Sequence, residues 1–358
     1  MLFGSANSTH LAATSSRFAG LSLGRTRRSV AYVGVDLSET YAKIACLREN
    51  RNGGFDWTQQ YRWKLPAMAS NEPSTTWLDD VLKSLADRLP RPIDGDVNLA
   101  TVALPMSWTQ YQTALGHELD QVHRRSDAIF RHSVFASDSA VCHWPVTGAH
   151  LRLPDANSQY VTAATAQRAS CQIAAVITSL GYQVRSVLPH AVALTHASFQ
   201  LTGIDAQCVL WLDRSSALIA VRHRSGVGLA RSLPSLPTHL DTPDVAVRLD
   251  AYALRPYLSD IAGEYHRTAD YVARSENASR SQKPILIAGS LAGIDGVDEV
   301  LATLCNVPIA TWTFRSGSRP TPPSNSARVQ DLQLDSDFAS ALSLAYSTTR
   351  TSKRGYGK

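Results

Sequence analysis

The sequence predicts an α/β protein in which one fold is built twice, leaving a cleft between two lobes. In the stretch Ala31–Cys46 (AYVGVDLSETYAKIAC), an apolar strand ends in Asp36, turns through polar residues and returns as a second strand that carries Lys43. The same layout recurs at Cys208–Val221 (CVLWLDRSSALIAV), where the strand ends in Asp213. Helices and strands alternate after each repeat, which is typical of α/β folds. A duplicated unit of this kind predicts that the two aspartates face each other across the cleft.

The composition fits one large two-lobed protein. The chain has 358 residues, of which 44% are hydrophobic and 18% charged, so sizeable cores can form. The five cysteines are scattered without CxxC spacing, which indicates buried thiols in a reducing compartment and no zinc site. No apolar run approaches the ~18 residues of a membrane span, and Met1–Leu23 lacks the apolar core of a signal peptide. We therefore expect a cytoplasmic protein.

Positive charge is concentrated at the two ends of the chain. The formal net charge is +5, yet the eight cations of the first 35 and last nine residues have no acid among them, so the remainder carries −3. Residues 1–29 and 348–358 are expected to form flexible basic tails. Solvated tails are the ordinary interpretation, and weak contact with an anionic membrane or a nucleic acid is the alternative.

The first lobe is expected to span residues 30–200. Strands and helices are predicted at Ala31–Asp36, Tyr41–Leu47, Phe55–Leu65, Ser74–Leu89 (helix), Asn98–Leu104, Tyr160–Ala166, Gln167–Leu180 (helix), Val184–Leu188 and 189–199 (helix). A small subdomain is expected within about residues 99–160.

The second lobe is expected to span residues 201–330. Its predicted elements are Cys208–Leu212, Ala217–His223, Leu229–Leu233, Pro256–Ala273 (helix), Pro284–Ala288, Gly296–Leu304 (helix) and Val307–Trp312. A final helix of small and apolar residues, within 331–347, is expected to pack back on the first lobe.

Six segments in this order resemble the actin-like PilM proteins of type IV pilus assembly, and in particular their HofM and ComA relatives in DNA-uptake competence. The resemblance covers roughly residues 31–347, and each of its segments is short. They are GVDLSETYAKIACL, LATVALPMS, residues 160–197, VLWLDRSSALIAVRHRSGVGLARSLP, PILIAGSLAGIDGVDEVLATLCNVPIATW and DFASALSLAYS. The resemblance implies an actin-like, RNase H-like duplicated fold.

The resemblance also implies an ATP site in the cleft. Asp36 and Lys43 match the pattern of the first turn, and Asp213 matches that of the second. Asp36 and Asp213 would hold Mg²⁺ through water. Glycines that wrap phosphate are replaced by Ser38 and Ser215. The third loop of the implied site lies in the segment PILIAGSLAGIDGVDEVLATLCNVPIATW. There Gly289 matches the family's pattern and Ser290 does not.

These departures leave two interpretations open, a site that still binds ATP with Mg²⁺ and a vestigial one. Glu39 adds a negative charge to a turn that would face phosphate. ATP turnover is not expected, and no catalytic residue is assigned. GxSxG is absent, and we interpret the dispersed histidines, His190 among them, as surface or satisfied core residues.

The implied partner is the N-terminal tail of a PilN-like bitopic membrane protein, together with other pilus assembly proteins. The implied role is a cytoplasmic scaffold peripheral to the inner membrane. The partner groove would fall within about Leu99–Val161, where Val134, Phe135 and Trp144 are candidates and core packing is the alternative. Nucleic acid is not expected to bind directly, since the aromatic residues of Phe55–Trp63 lack a basic frame. Alternative functions are an active ATPase or kinase of the same fold and a type II secretion scaffold.

Overall fold

The computed structural model describes residues 29–66, 75–92, 96–115, 139–146, 159–223, 226–237, 240, 249–275, 280–315, 317 and 334–355. The predicted N-terminal tail up to residue 28 lies outside these ranges, as do Val134 and Phe135. None of the helices in the described ranges is long and apolar enough to cross a membrane.

The first lobe is built on a five-stranded sheet with the order β3-β2-β1-β4-β8. The antiparallel meander β1–β2–β3 is continued by two strands parallel to β1, so the predicted meander is confirmed. The strands are β1 (Val30–Leu37), β2 (Tyr41–Glu49), β3 (Phe55–Lys64), β4 (Val97–Ala103) and β8 (Gln183–Val187).

The second lobe repeats this arrangement in the order β11-β10-β9-β12-β13. Its meander is again antiparallel, and its last two strands run parallel to β9. The strands are β9 (Cys208–Leu212), β10 (Ala217–His223), β11 (Gly226–Leu233), β12 (Ile285–Ala288) and β13 (Ile309–Thr311). The duplication read from the two strand–Asp–turn units is therefore present in the structure.

A small three-stranded sheet lies between β4 and the next helix along the chain. Its strands are β5 (Thr109–Leu115), β6 (Ser139–Pro145) and β7 (Gln159–Ala166), in the order β5-β7-β6. The sequence does not indicate β5, because the apolar residues of Thr109–Leu115 do not alternate with polar ones. β4 belongs to the first sheet and β7 runs to Ala166, so the small sheet occupies residues 109–166, later in the chain than the expected 99–160.

Helices cover both sheets and also separate them. The helices are α1 (Thr75–Arg88), α2 (Gln167–Ser179), α3 (His190–Thr202), α4 (Ala251–Ser275), α5 (Val297–Cys305), α6 (Leu334–Asp337) and α7 (Ala339–Gly355). One core packs α1 and α2 on the first sheet, and another packs α4 and α5 on the second. A third core contains α3, α7 and residues of both sheets, and it therefore joins the two lobes.

Two helices begin or end well outside their predicted ranges. α4 begins at Ala251, before Pro256, because Asp250 Oδ1 accepts a hydrogen bond from Ala253 N at 2.8 Å and caps the first turn. α7 continues to Gly355, beyond the expected end at residue 347 and into the segment predicted as a flexible tail. Thr348 is buried and its hydroxyl lies 2.7 Å from that of Thr101, so packing extends the helix.

Candidate functional site in the cleft

The first hairpin turn, between β1 and β2, satisfies its own backbone. Ser38 Oγ accepts hydrogen bonds from Tyr41 N at 2.9 Å and Thr40 N at 3.3 Å, and it donates to the Tyr41 carbonyl at 3.0 Å. A turn that holds phosphate presents such N–H groups to the anion. Ser38 therefore occupies donors that a phosphate would need.

Glu39 spans the mouth of the cleft. Its carboxylate accepts hydrogen bonds from Ser107 N at 2.9 Å and from the Ser215 hydroxyl at 3.3 Å. Ser107 precedes β5 in the first lobe, whereas Ser215 lies in the turn of the second lobe. The acidic residue predicted to repel phosphate thus makes a contact between the lobes and is itself buried.

The second hairpin turn, between β9 and β10, is organised around Asp213. Asp213 Oδ1 accepts hydrogen bonds from Arg214 N, at 2.9 Å, and from the Ser290 hydroxyl. Asp213 N donates to the Ser216 carbonyl at 2.9 Å. The predicted site residues Asp213, Ser215 and Ser290 are therefore brought together, and each already binds a protein group.

Gly289 allows the end of β12 to approach the end of β9. Its φ is +97°, and an added Cβ would lie 3.0 Å from Leu212 N and closer still to the Leu212 carbonyl. Its N–H donates to the Ser336 carbonyl at 2.8 Å, which fixes α6 beside this turn. In this structure Gly289 therefore serves backbone packing.

Lys43 lies at the centre of the cleft and is fully buried. Its ammonium group donates to Asp337 Oδ1 at 2.7 Å and to Asp213 Oδ2 at 3.1 Å. The same nitrogen lies 5.3 Å from the centroid of the Trp211 ring. Lys43 comes from β2 of the first lobe, while both carboxylates belong to segments packed on the second lobe. This side chain is therefore an ionic connection between the lobes.

The titration of Lys43 and Asp213 reflects this pairing. Burial alone would lower the pKa of Lys43, but the carboxylates of Asp213, Asp337 and Asp36 outweigh burial and raise it above its ordinary value. Burial alone would raise the pKa of Asp213, but the charge of Lys43 and hydrogen bonds from Ser290, Arg214 and Lys43 lower it. Both pKa shifts favour the state in which Lys43 is protonated and Asp213 is ionised.

Asp36 is paired with a histidine. His190 Nε2 donates to Asp36 Oδ1 at 2.7 Å, and both side chains are buried. Within the described residues, Asp36 Oδ2 and His190 Nδ1 have no hydrogen-bond partner. His190 is therefore a buried core residue in which Nε2 has a hydrogen-bond partner and Nδ1 has none among the described residues.

Asp337 is held from a second side by Arg62. Arg62 Nη1 lies 2.9 Å from Asp337 Oδ2, which is ion-pair distance, without the alignment of a hydrogen bond. The Arg62 guanidinium carbon also lies 4.0 Å from the centroid of the Tyr41 ring. Two cations of the first lobe therefore converge on one carboxylate of the C-terminal segment.

These residues do not fit a nucleotide with Mg²⁺. The N–H groups of Thr40, Tyr41 and Arg214 are taken by Ser38 and Asp213. No three His, Cys, Asp or Glu side chains in the described ranges are placed to hold a metal ion. Among the described residues, Asp36 Oδ2 and Asp337 Oδ2 are carboxylate oxygens of the cleft without a hydrogen-bond partner. The turn donors and the other oxygens of Asp36, Asp213 and Asp337 already bind protein groups.

A narrow groove of about 40 Å³ lies outside the cleft, between the small sheet and the end of the first sheet. Its walls are mostly apolar, with hydroxyl groups at intervals. They include Leu104, Thr109, Ala140, Cys142, Ala163 and Leu188. Trp144, a candidate partner contact with core packing as its alternative role, packs against the core that joins the lobes.

A larger cavity, of about 320 Å³, lies at the opposite end of the second lobe, where β9 begins. Its cations are already paired. Arg222 and Lys283 contact Asp205 at 2.9 and 2.7 Å, and Arg280 Nε donates to Asp270 at 2.6 Å. The charge of this rim is therefore largely neutralised.

Sequence reasoning missed two members of the cleft, His190 and Asp337. Asp337 follows Lys43 by 294 positions, so no local pattern links them. His190 follows Pro189 at the start of α3, where a proline predicts a helix but not the direction of the next side chain. Three-dimensional packing alone brings them to Lys43 and Asp36.

No family model and no curated protein matches the sequence. Among solved structures, a chain of the PilM–PilN type IV pilus biogenesis complex matches with a TM-score of 0.64 at 14% identity, covering 88% of this chain and 98% of that one. The ethanolamine utilization protein EutJ of Carboxydothermus hydrogenoformans gives a TM-score of 0.46 at 12% identity, covering 88% and 89%. The cytoplasmic domain of EpsL of the Vibrio cholerae type II secretion system gives 0.41 at 10% identity, covering 90% and 95%. The predicted actin-like, two-lobed α/β fold is confirmed.

Proposed function

We propose that this chain is a cytoplasmic scaffold of a type IV pilus or DNA-uptake apparatus, docked on the N-terminal tail of a bitopic inner-membrane protein. The observation that carries the proposal is the fold shared with a chain of the PilM–PilN complex over 88% of this chain. The committed donors of the cleft favour a scaffold over an ATPase or kinase. A peripheral position at the inner membrane follows from the proposed docking.

The groove beside the small sheet suits the proposed tail. Its walls come from β5, β6 and β7 on one side and from Leu104 and Leu188 on the other. β6 is an edge strand of its sheet, and edge strands commonly accept an extended peptide. A hollow of about 40 Å³ accommodates one small apolar side chain. The proposed ligand is therefore an extended segment with a small apolar anchor.

A matched pair of cysteines tests this docking site. Cys142 lines the groove and is half-buried, whereas Cys171 is exposed on α2. The probe is a fluorescent peptide of the cytoplasmic tail of the PilN-like protein from the same organism, followed by anisotropy. Cys142→Trp fills the hollow and is expected to weaken binding by about tenfold or more, which corresponds to losing the anchor.

Cys171→Trp is the control and is expected to bind the peptide like the unmodified chain. Equal affinity for both variants would place docking elsewhere. A peptide that does not bind the unmodified chain would contradict the scaffold role. Deletion strains scored for DNA uptake, pilus-dependent motility and secretion would then distinguish the competence, pilus and type II secretion roles.

A further inference from the structure

The cleft holds charges of its own where the fold implies a bound nucleotide and cation. Lys43 places a buried ammonium between Asp213 and Asp337. Glu39 places a carboxylate between Ser107 N and the Ser215 hydroxyl. One group is a cation among carboxylates and the other is an anion among hydrogen-bond donors. Together they have the same signs of charge as a metal–phosphate pair.

Both groups connect the lobes. Lys43 and Glu39 belong to β2 and to the first turn, whereas Asp213 and Ser215 belong to the second turn. Asp337 lies in α6, which packs on the second lobe beside Ser290. A bound nucleotide joins two lobes by giving each of them ligand contacts. Here covalently attached side chains make those contacts.

We propose that this protein supplies its own ligand to the cleft, so that Lys43 and Glu39 hold the lobes together and exclude nucleotide. Lys43 replaces the divalent cation and Glu39 replaces a phosphate. The inference rests on the proposed loss of nucleotide binding and is independent of tail docking. Lys43 and Glu39 are thus the residues that determine ligand specificity in the cleft.

The effective concentration of such a built-in ligand is far higher than that of any dissolved one. A competing nucleotide would have to displace Glu39 from two donors and would bring several negative charges towards Asp36, Asp213 and Asp337. Mg²⁺ would in turn have to displace the Lys43 ammonium from its two carboxylates. The two displacements must occur together, which makes the exclusion cooperative.

Hydrogen–deuterium exchange on the full chain tests the inference. In the unmodified protein, millimolar Mg·ATP is expected to leave exchange of residues 213–216 and 335–337 unchanged. Lys43→Met keeps the length of the side chain and removes its charge. It is expected to speed exchange in both segments by about a hundredfold, because removing one partner of a buried ion pair uncouples the lobes. Lys64→Met, at an exposed position of β3, is the matched control and should exchange like the unmodified chain.

Two results would overturn the inference. They are protection of residues 213–216 and 335–337 by Mg·ATP in the unmodified protein, and exchange in Lys43→Met that is no faster than in the unmodified chain and in Lys64→Met. If Lys43→Met does not fold, Glu39→Ala replaces it, with the Ser107 amide and residues 213–216 as readouts. Unchanged exchange there contradicts the role of Glu39. Peptide binding at the Cys142 groove is measured in a separate experiment. A peptide that fails to bind there does not change the interpretation of the exchange rates.

Discussion

At the scale of single residues, the charge on Lys43 is set by its neighbours. The ammonium is removed from water but lies close to three carboxylates, and the pair with Asp213 is charged as a result. Breaking a buried pair by removing one partner typically costs about 3–5 kcal/mol, whereas exposed pairs contribute little. The cleft is therefore a place where one substitution has a large effect on the free energy of unfolding.

The direction of the Asp213 pKa predicts how stability depends on pH. The pKa of Asp213 is lowered in the folded state, so its contribution is present above the ordinary aspartate value of about 3.9 and is lost as pH falls through the lower folded value. Lys43 has a raised pKa, so its contribution is present below about 10.4 and is lost only as pH rises beyond that. Between these limits the pair should contribute constantly to the melting temperature.

Lys43→Met should reverse the direction in which the contribution of Asp213 to stability changes as pH falls. Without the ammonium, burial dominates the pKa of Asp213 and raises it, so the variant is expected to gain stability from pH 7 to pH 5. Melting temperatures of both proteins across this range provide the measurement, with Lys64→Met following the unmodified chain. A Lys43→Met profile parallel to that of the unmodified protein would show that Asp213 does not depend on Lys43.

At the scale of elements, α7 lies directly on β1, with little space for side chains between them. A Cβ at Gly34 would overlap the Ala341 carbonyl oxygen and lie 2.7 Å from Ala345 N. Both partners are backbone atoms and cannot rotate away. The close approach of helix to strand therefore requires glycine at this position.

Gly34→Ala should lower the free energy of unfolding by about 3 kcal/mol, since α7 must move away from the sheet to admit the methyl group. Gly263→Ala is the matched control. Gly263 lies in α4 with ordinary backbone geometry, and its nearest neighbour is the end of Arg267 at 4.0 Å, so alanine should be neutral or add up to about 1 kcal/mol. Urea titration of both variants measures the difference, and equal stabilities would contradict the close contact.

The sequence predicts the individual strands and helices better than it predicts the tertiary contacts between them. The two meanders follow from local alternation and from Asp36 and Asp213 at strand ends, and both are present. β5 was missed because Thr109–Leu115 is polar at most positions and is defined by its pairing with β7. The pairing of Lys43 with Asp337 depends on where α6 and α7 return, which no local pattern specifies.

At the scale of the whole molecule, the two lobes share one core. α7 is buried from its first residue to Thr349, and it contributes to the same cluster as α3 and both sheets. Because Asp337 lies two residues before the start of this helix, the charges of the cleft and the apolar contacts of the core are fixed by one continuous segment. Loss of this segment removes both at once.

A chain that ends at residue 333 should therefore fail to form a cooperative tertiary structure, although both sheets remain encoded. The expected result is rapid proteolysis and loss of the near-ultraviolet circular dichroism signal. A chain that ends at residue 355 keeps α7 and is the control, with a melting transition like that of the full chain. A cooperative transition in the shorter chain would show that the lobes fold without α7.

The position of α7 after both lobes also matters while the protein is being made. The ribosome synthesises both sheets before it reaches α7, so the nascent first lobe exposes the apolar face of its sheet that this helix later covers. Until that moment the nascent chain is a natural client for a chaperone. Contacts that require the joined lobes can therefore form only in molecules whose α7 has emerged from the ribosome and packed.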